Sequence, residues 1–330
     1  MIDRDIRSCF VTGGTGFIGS HLVDHLLKQG VKVRCLVRRP SKLRWLAGRP
    51  VQIIQGDLAS DEALAAGVAG VDAVFHLAGL VAAGSREEYF RVNADGCRSL
   101  VKAVGLSGGK TTVLVYVSSL AASGPSEADG EVTEEDSPAP ITSYGMSKLE
   151  GERALEAASG RPIVIVRPPA VYGPRDREIL PFFRMGNRGF FPIINSGARI
   201  SLVHVEDLAK GIYRAACYGG PGEAYFITGH ETVRISDMPR FLSEALGKKV
   251  RGVRISPALV SVAAGLSEAW GRIRGRMPVF NRDKARELAA PGWVCSSAKA
   301  LRDLSFQAEI SIKDGFSQTA RWYRENNWIR

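Results

Sequence analysis

Tyr144 and Lys148 stand four residues apart at the head of a helical pattern that continues through Leu149, Leu155 and Ala158, so their side chains share one helix face. A phenol with its ordinary pKa of about 10 is a poor acid or base near neutrality. A lysine ammonium close by, with the positive ring of an oxidised hydride carrier, would lower that value and let the tyrosine trade a proton. Ser119, leaving the apolar run Val113 to Val117, carries a hydroxyl that can hold a substrate oxygen while its proton moves. Together the three form a proton relay for carbinol–carbonyl interconversion, chemistry that needs a hydride carrier alongside. Tyr-x-x-x-Lys alone is a weak signal, because such pairs are common on helix surfaces.

The carrier's place is marked upstream. Thr12-Gly13-Gly14-Thr15-Gly16-Phe17-Ile18-Gly19 follows a short apolar strand over Arg7 to Val11 and opens a helix patterned on Ile18, Leu22, Val23, Leu26 and Leu27. Gly14-x-Gly16-x-x-Gly19 and the three-residue spacing Gly13-x-x-Gly16-x-x-Gly19 both fit a dinucleotide fingerprint in this strand-to-helix setting. Unsubstituted backbone can approach a pyrophosphate, whose charge the helix N-terminus favours. The second strand, Val31 to Val37, ends in Arg38 and Arg39 with Lys42 behind, where an NAD site would have an acid for the ribose hydroxyls. Guanidinium groups there suit a 2′-phosphate, which gives NADP(H) as the preferred cofactor and NAD(H) as the alternative; a solvated basic loop is the plain alternative.

Strands are expected again at Val51 to Gln55, ending in Asp57 and Leu58, and at Ala73 to Leu77, ending in Leu77, Ala78 and Gly79. These ends lie where an open parallel sheet binds ligands, at its carboxyl edge. A long helix is expected over Glu87 to Leu106, then a fifth strand over Val113 to Val117. Strands alternating with helices give an α/β fold, a Rossmann-type doubly wound parallel sheet. Gly124 to Pro140 reads as a mobile polar loop between the two halves of the site, either gating access or a surface excursion.

The 330 residues are 45% hydrophobic, enough for a packed core, and carry a net charge of +10. The basic residues are dispersed without an aromatic-interleaved motif, so nucleic acid ranks last among partners and a small-molecule substrate first. No apolar run reaches membrane-spanning length and the first residues lack a secretory pattern, which points to the cytoplasm. Cys9, Cys35, Cys97, Cys217 and Cys295 are scattered and read as buried hydrophobes in a reducing compartment. His21 and His25 could share a helix face toward zinc, but with no third ligand in view no metal site is assigned.

Jointly these motifs resemble the extended short-chain dehydrogenase/reductases, the NAD-dependent epimerase/dehydratase family. The resemblance also takes in Val117-Ser118-Ser119, Arg167-Pro168-Pro169-Ala170-Val171-Tyr172-Gly173-Pro174 and His204-Val205-Glu206-Asp207-Leu208-Ala209, and so covers nearly the whole chain. It implies Tyr144 as general acid/base, Lys148 as the residue that tunes it and holds the nicotinamide ribose, and Ser119 as the catalytic hydroxyl with Ser118 the near alternative. Pro168 and Val171 would line the nicotinamide, and Asn93 would support the site. The family fold implies a cofactor domain from 1–174 plus 202–230, a smaller, mostly helical substrate domain from 175–201 plus 231–330, and homodimers through the helices over Glu87 to Leu106 and Tyr144 to Ser159.

Within the family, nucleotide-sugar members carry an arginine just before the strand Ser201 to Val205; here Ile200 takes that place and Arg199 is one residue off register, on the opposite face. Arg38, the run Ser118 to Pro125, and the tail Lys299 to Leu304 with Trp322 look more like the branch of dihydroflavonol reductases and 3β-hydroxysteroid dehydrogenases. The apolar stretch Phe182, Phe183, Phe190, Phe191, Pro192, Ile193 and Ile194 suits a steroid-, flavonoid- or lipid-like substrate or, more plainly, a core. The expectation is therefore alcohol–ketone oxidoreduction on an apolar substrate, with a nucleotide-sugar epimerase or dehydratase holding a recycled NAD as the alternative. Pro257 to Ile273, an apolar helix followed by Arg272, Arg274 and Arg276, is either packed over the substrate cleft or a peripheral membrane contact.

Overall fold

The computed structural model of the chain describes residues 2–40, 43–107, 109, 112–157, 162–273 and 281–330. Lys42, Ala158, Ser159, Arg274 and Arg276 lie outside the described residues, as do the side chains of Trp270, Arg272 and Ile273.

Apolar runs bounded by glycine turns become strands buried on both faces. In chain order the elements begin β1 (Ser8–Thr12), α1 (Phe17–Lys28), β2 (Lys32–Val37), β3 (Gln52–Gln55), α2 (Asp61–Val68), β4 (Ala73–His76), α3 (Arg86–Phe90), α4 (Gly96–Ser107), β5 (Val113–Val117), α5 (Leu120–Ser123), α6 (Ser143–Glu156) and β6 (Ile163–Arg167). They continue with β7 (Ala170–Tyr172), α7 (Leu180–Asn187), β8 (Phe190–Ile193), β9 (Arg199–His204), α8 (Val205–Tyr218), β10 (Ala224–Phe226), β11 (Thr232–Arg234), α9 (Met238–Leu246), β12 (Arg251–Arg254), α10 (Pro257–Ile273), α11 (Arg282–Ala289), β13 (Gly292–Trp293), α12 (Ala298–Leu304) and α13 (Ile312–Glu325).

The main sheet has seven parallel strands in the order β10-β6-β5-β4-β1-β2-β3. Its period-two pleat sorts side chains between two layers. Cys9, Val11, Phe75, Val113, Val115 and Val117 pack with α1 and α8, while Phe10, Val74, Leu114 and Tyr116 pack with α2, α4 and Leu155 of α6. The order reverses between β1 and β4, the switch point where such sheets bind ligands.

A second core gathers Tyr172, Phe183, Phe191, Leu242, Phe316 and Tyr323 beneath α7, α9 and α13. Phe183, Phe191 and Ile193 are buried there, Phe182 packs against them and Phe190 is exposed, so the apolar 182–194 stretch is mostly core rather than substrate wall. All five cysteines are buried and unpaired.

Two expectations change. The helix over 87–106 is interrupted by a π-helical turn at Arg91–Asp95, a widening frequent at functional sites. There the Asn93 carbonyl accepts from the Cys97 thiol (3.1 Å) while the Asn93 amide reaches toward β4's end. The 124–140 loop is tied down, not loose. Ser126 N donates to Gly292 O (2.9 Å), Val132 N to Val294 O (2.8 Å), Ala139 N to Ser123 O (2.8 Å), and Glu134 Oε1 accepts from Phe226 N (2.7 Å). An irregular segment with this many backbone partners is fixed by the strand it borders, which its polar sequence does not reveal.

Candidate active site

The glycine turn is built for close approach. Gly13 takes φ +78°, and a Cβ there would lie 2.7 Å from Ala78 N and from the Leu77 carbonyl carbon. A Cβ on Gly19 would run into the Gly13 carbonyl oxygen. Helix α1 then begins at Phe17, capped by Gly16 without a side-chain cap and with no acid in its first turn, so the amides of that turn have no intrahelical partner, a ready anion site. At the next strand ends, Leu77, Ala78 and Gly79 border this turn. Asp57 is exposed and caps its own bend through Ala59 N (2.9 Å), and Leu58 packs toward Gly96.

Arg38 and Arg39 are exposed where β2 ends, and neither has an ion-pair partner among the described residues. The Ser118 hydroxyl is buried without a partner among them. The crowded glycine turn, the uncapped helix start and this orphaned hydroxyl together fit a dinucleotide laid along the strand ends.

Helix α6 is launched by Thr142, whose hydroxyl accepts from Gly145 N (3.0 Å). Tyr144 sits in its first turn and lines a cavity of about 260 Å³. Ser119, the cap of α5, accepts from Ala121 N (3.1 Å), and its hydroxyl lies near enough to the Tyr144 phenol to influence its protonation. Lys148 is buried one turn on; its ammonium donates to Val117 O (2.7 Å) and lies 4.3 Å from the centre of the Tyr116 ring. Burial draws Lys148 down to about 8 and pushes Tyr144 up to about 12, the nearby Ser119 hydroxyl opposing the rise. Burial alone raises the phenol; the lowering expected from the sequence is the joint effect of the Lys148 ammonium and the positive ring of the oxidised cofactor.

Asn93 reaches the site through its neighbours. Its side chain accepts from Leu80 N (2.8 Å) and donates to Leu80 O (3.1 Å) and Ser147 Oγ (2.9 Å), pinning the segment after Gly79 to α6. Pro168 is buried, its carbonyl accepting from Leu120 N (2.8 Å), and Val171 is half-buried in β7 opposite Val203. Ser119, Tyr144, Lys148, Asn93 and Gly79 thus converge, whereas Asp57 stands at the periphery.

Three features were missed from sequence. Thr12 Oγ1 meets His76 Nδ1 at 2.7 Å, and burial lowers His76 to about 3, keeping it neutral. Glu152 and Arg167 form a buried two-pronged ion pair, Nε–Oε1 3.0 Å and Nη2–Oε2 2.6 Å. A signal existed for that pair: Glu152 follows Lys148 by four residues on the same face. Asp283 of α11 accepts from Ser143 N (2.8 Å), and the cavity combines Val81 and Ala83 with the charged Arg86, Glu178, Asp283 and Glu287. Of the two histidines considered for zinc, His21 Nε2 meets Pro174 O at 2.9 Å and His25 packs edge-on against Tyr213; among the described residues no cluster could hold a metal ion.

The profile of the NAD dependent epimerase/dehydratase family matches residues 9–228. The chain belongs to this family, the extended short-chain dehydrogenase/reductases. Members of this family similar to the chain include ceramide reductase of Caulobacter vibrioides, 33% identical over 97% of this chain and 95% of the relative. A putative dihydroflavonol 4-reductase of Synechocystis sp. is 31% identical over 97% and 96%. Among solved structures, MoeE5 in complex with UDP-glucose and NAD superposes with a TM-score of 0.76 at 26% identity, covering 97% of this chain and 99% of that one. Within this extended family the chain is an enzyme of the NAD-dependent oxidoreductase type.

Proposed function

We propose that the protein interconverts a secondary alcohol and a ketone on an apolar steroid-, flavonoid- or lipid-like substrate, using NADP(H). When bound, the nicotinamide supplies or accepts the hydride. Tyr144 gives its phenolic proton to the carbonyl oxygen in reduction and takes it back in oxidation. Ser119 holds that oxygen, and Lys148 places a positive charge behind the tyrosine. The observation that carries this reading is Tyr144 at the wall of the cavity, one turn before the buried Lys148 and with Ser119 near its phenol, beside strand ends fitted for a dinucleotide. The reductases that align over nearly the whole chain support net hydride transfer, and the free Arg38 and Arg39 support the 2′-phosphate.

Tyr144→Phe tests it. Turnover of NADPH with long-chain or polycyclic ketones should fall by about 10² to 10⁴, with NADPH binding retained. Undiminished turnover would remove Tyr144 from the chemistry. The second reading, a nucleotide-sugar epimerase or dehydratase with recycled NAD, is favoured by the likeness to MoeE5 with its UDP-glucose and NAD.

A further inference from the structure

Helix α10 faces the opposite way from a core helix. Leu259, Val262 and Leu266, spaced to form one stripe, are 65%, 61% and 68% exposed. The inward stripe is thinner, with Val260 and Ala264 buried against Ala285, Ile194 and Ile255. An amphipathic helix normally buries its larger side chains. A contiguous apolar stripe left in water marks a contact surface.

The flank of the stripe says what covers it. Strand β12 runs directly into α10, and all four of its residues are exposed, Val253 among them. Between Glu244 and Glu268 the sequence has no acid and four cations, Lys248, Lys249, Arg251 and Arg254. Lys249, Arg251 and Arg254 have no ion-pair partner among the described residues, and Glu268 is taken up by Arg282, whose backbone N donates to it (2.8 Å). A second copy of the chain docking face to face would bring these cations against one another, whereas a layer of anionic headgroups over an apolar interior complements both the cations and the stripe.

We propose that α10 and β12 form a docking surface for an anionic lipid bilayer. The helix lies in the plane of the interface with Leu259, Val262 and Leu266 among the acyl chains, and Arg251 and Arg254 meet headgroup phosphates. It does not cross: no described helix is long and apolar enough to do so. Helix α11, which packs on α10 and carries Asp283 and Glu287, forms part of the cavity wall beside Tyr144, so the docked face adjoins the cavity. This surface is independent of the substrate assignment, and its test reads binding without turnover.

The test is co-sedimentation of the full chain with phosphatidylcholine vesicles and with phosphatidylcholine–phosphatidylglycerol vesicles. The expected result is binding to the anionic vesicles alone, weakened by added salt. In Leu259→Asp/Leu266→Asp it should fall by about tenfold or more, and Arg251→Glu/Arg254→Glu should fall likewise. NADPH binding, read on the same preparations, should be unchanged in both variants and shows that they are folded. Absence of sedimentation with anionic vesicles overturns the proposal, as does binding that both variants leave intact. A dimer seen by light scattering that Leu259→Asp/Leu266→Asp dissociates, with no vesicle binding, overturns it in favour of self-association.

Discussion

Glu152→Gln isolates the buried ion pair that fastens the catalytic helix to the sheet. Glu152 lies two turns after Tyr144 on α6, and Arg167 is the last residue of β6, just before Pro168. Their side chains are 1% and 7% exposed and meet through two parallel contacts of 3.0 and 2.6 Å. An amide keeps the shape but not the charge, leaving a buried guanidinium uncompensated. Breaking such a pair costs about 3–5 kcal/mol. At about 2 °C per kcal/mol for a chain this long, the melting midpoint should drop by about 6–10 °C. The double variant Glu152→Leu/Arg167→Met buries no charge and should recover most of the loss. Urea unfolding at neutral pH, followed by circular dichroism, measures both. A loss below about 1 kcal/mol in the single variant, or a double variant less stable than the single, would refute the reasoning.

Other perturbations follow from the same geometry. Gly19→Ala should abolish nucleotide binding in a chain that still folds, because its methyl runs into the Gly13 carbonyl oxygen and shifts the α1 N-terminus; fluorescence titration with NADPH checks this, and near-normal affinity would contradict it. Lys148 titrates near 8 when folded against an ordinary 10.5, so the unfolded chain binds more protons between those values. Its contribution is fully present above pH 10.5 and lost as pH falls through about 8. Relative to Lys148→Met, the wild type should therefore gain about 3 kcal/mol of stability across that interval, measured by urea unfolding at each pH; a flat difference would show the ammonium is not desolvated. Asn93→Ala should loosen the segment after Gly79 and speed hydrogen exchange at Leu80, whose amide it caps; unchanged protection would deny it that role.

The cofactor end was legible because it is local. A strand, a glycine turn and a helix start are adjacent in sequence, and Gly13 and Gly19 are there for backbone clearance that no other residue allows. Tyr144 and Lys148 were legible for the same reason, a helix face four residues apart. What escaped depends on distant partners. The face shared with Lys148 marks Glu152, but nothing in sequence names Arg167 as its partner, and nothing near Asp283 announces the Ser143 amide. The outward turn of α10 was not readable, because its two apolar stripes have the same period and only packing decides which is buried. The 182–194 stretch shows the converse: its apolarity was plain, but its burial in a second core was a matter of tertiary placement.

The central claim, a reductase whose NADP(H) exchanges with each turnover, is tested most directly at the nucleotide itself. The purified protein would be denatured, any released nucleotide identified, and the emptied protein titrated with NADPH and NADH, alongside Arg38→Asp. The account predicts no retained NAD, NADPH binding tighter than NADH by about tenfold or more, and a reversal of that preference in Arg38→Asp. Stoichiometric NAD surviving purification, with no preference for NADPH, would contradict it and point instead to an epimerase or dehydratase cycle.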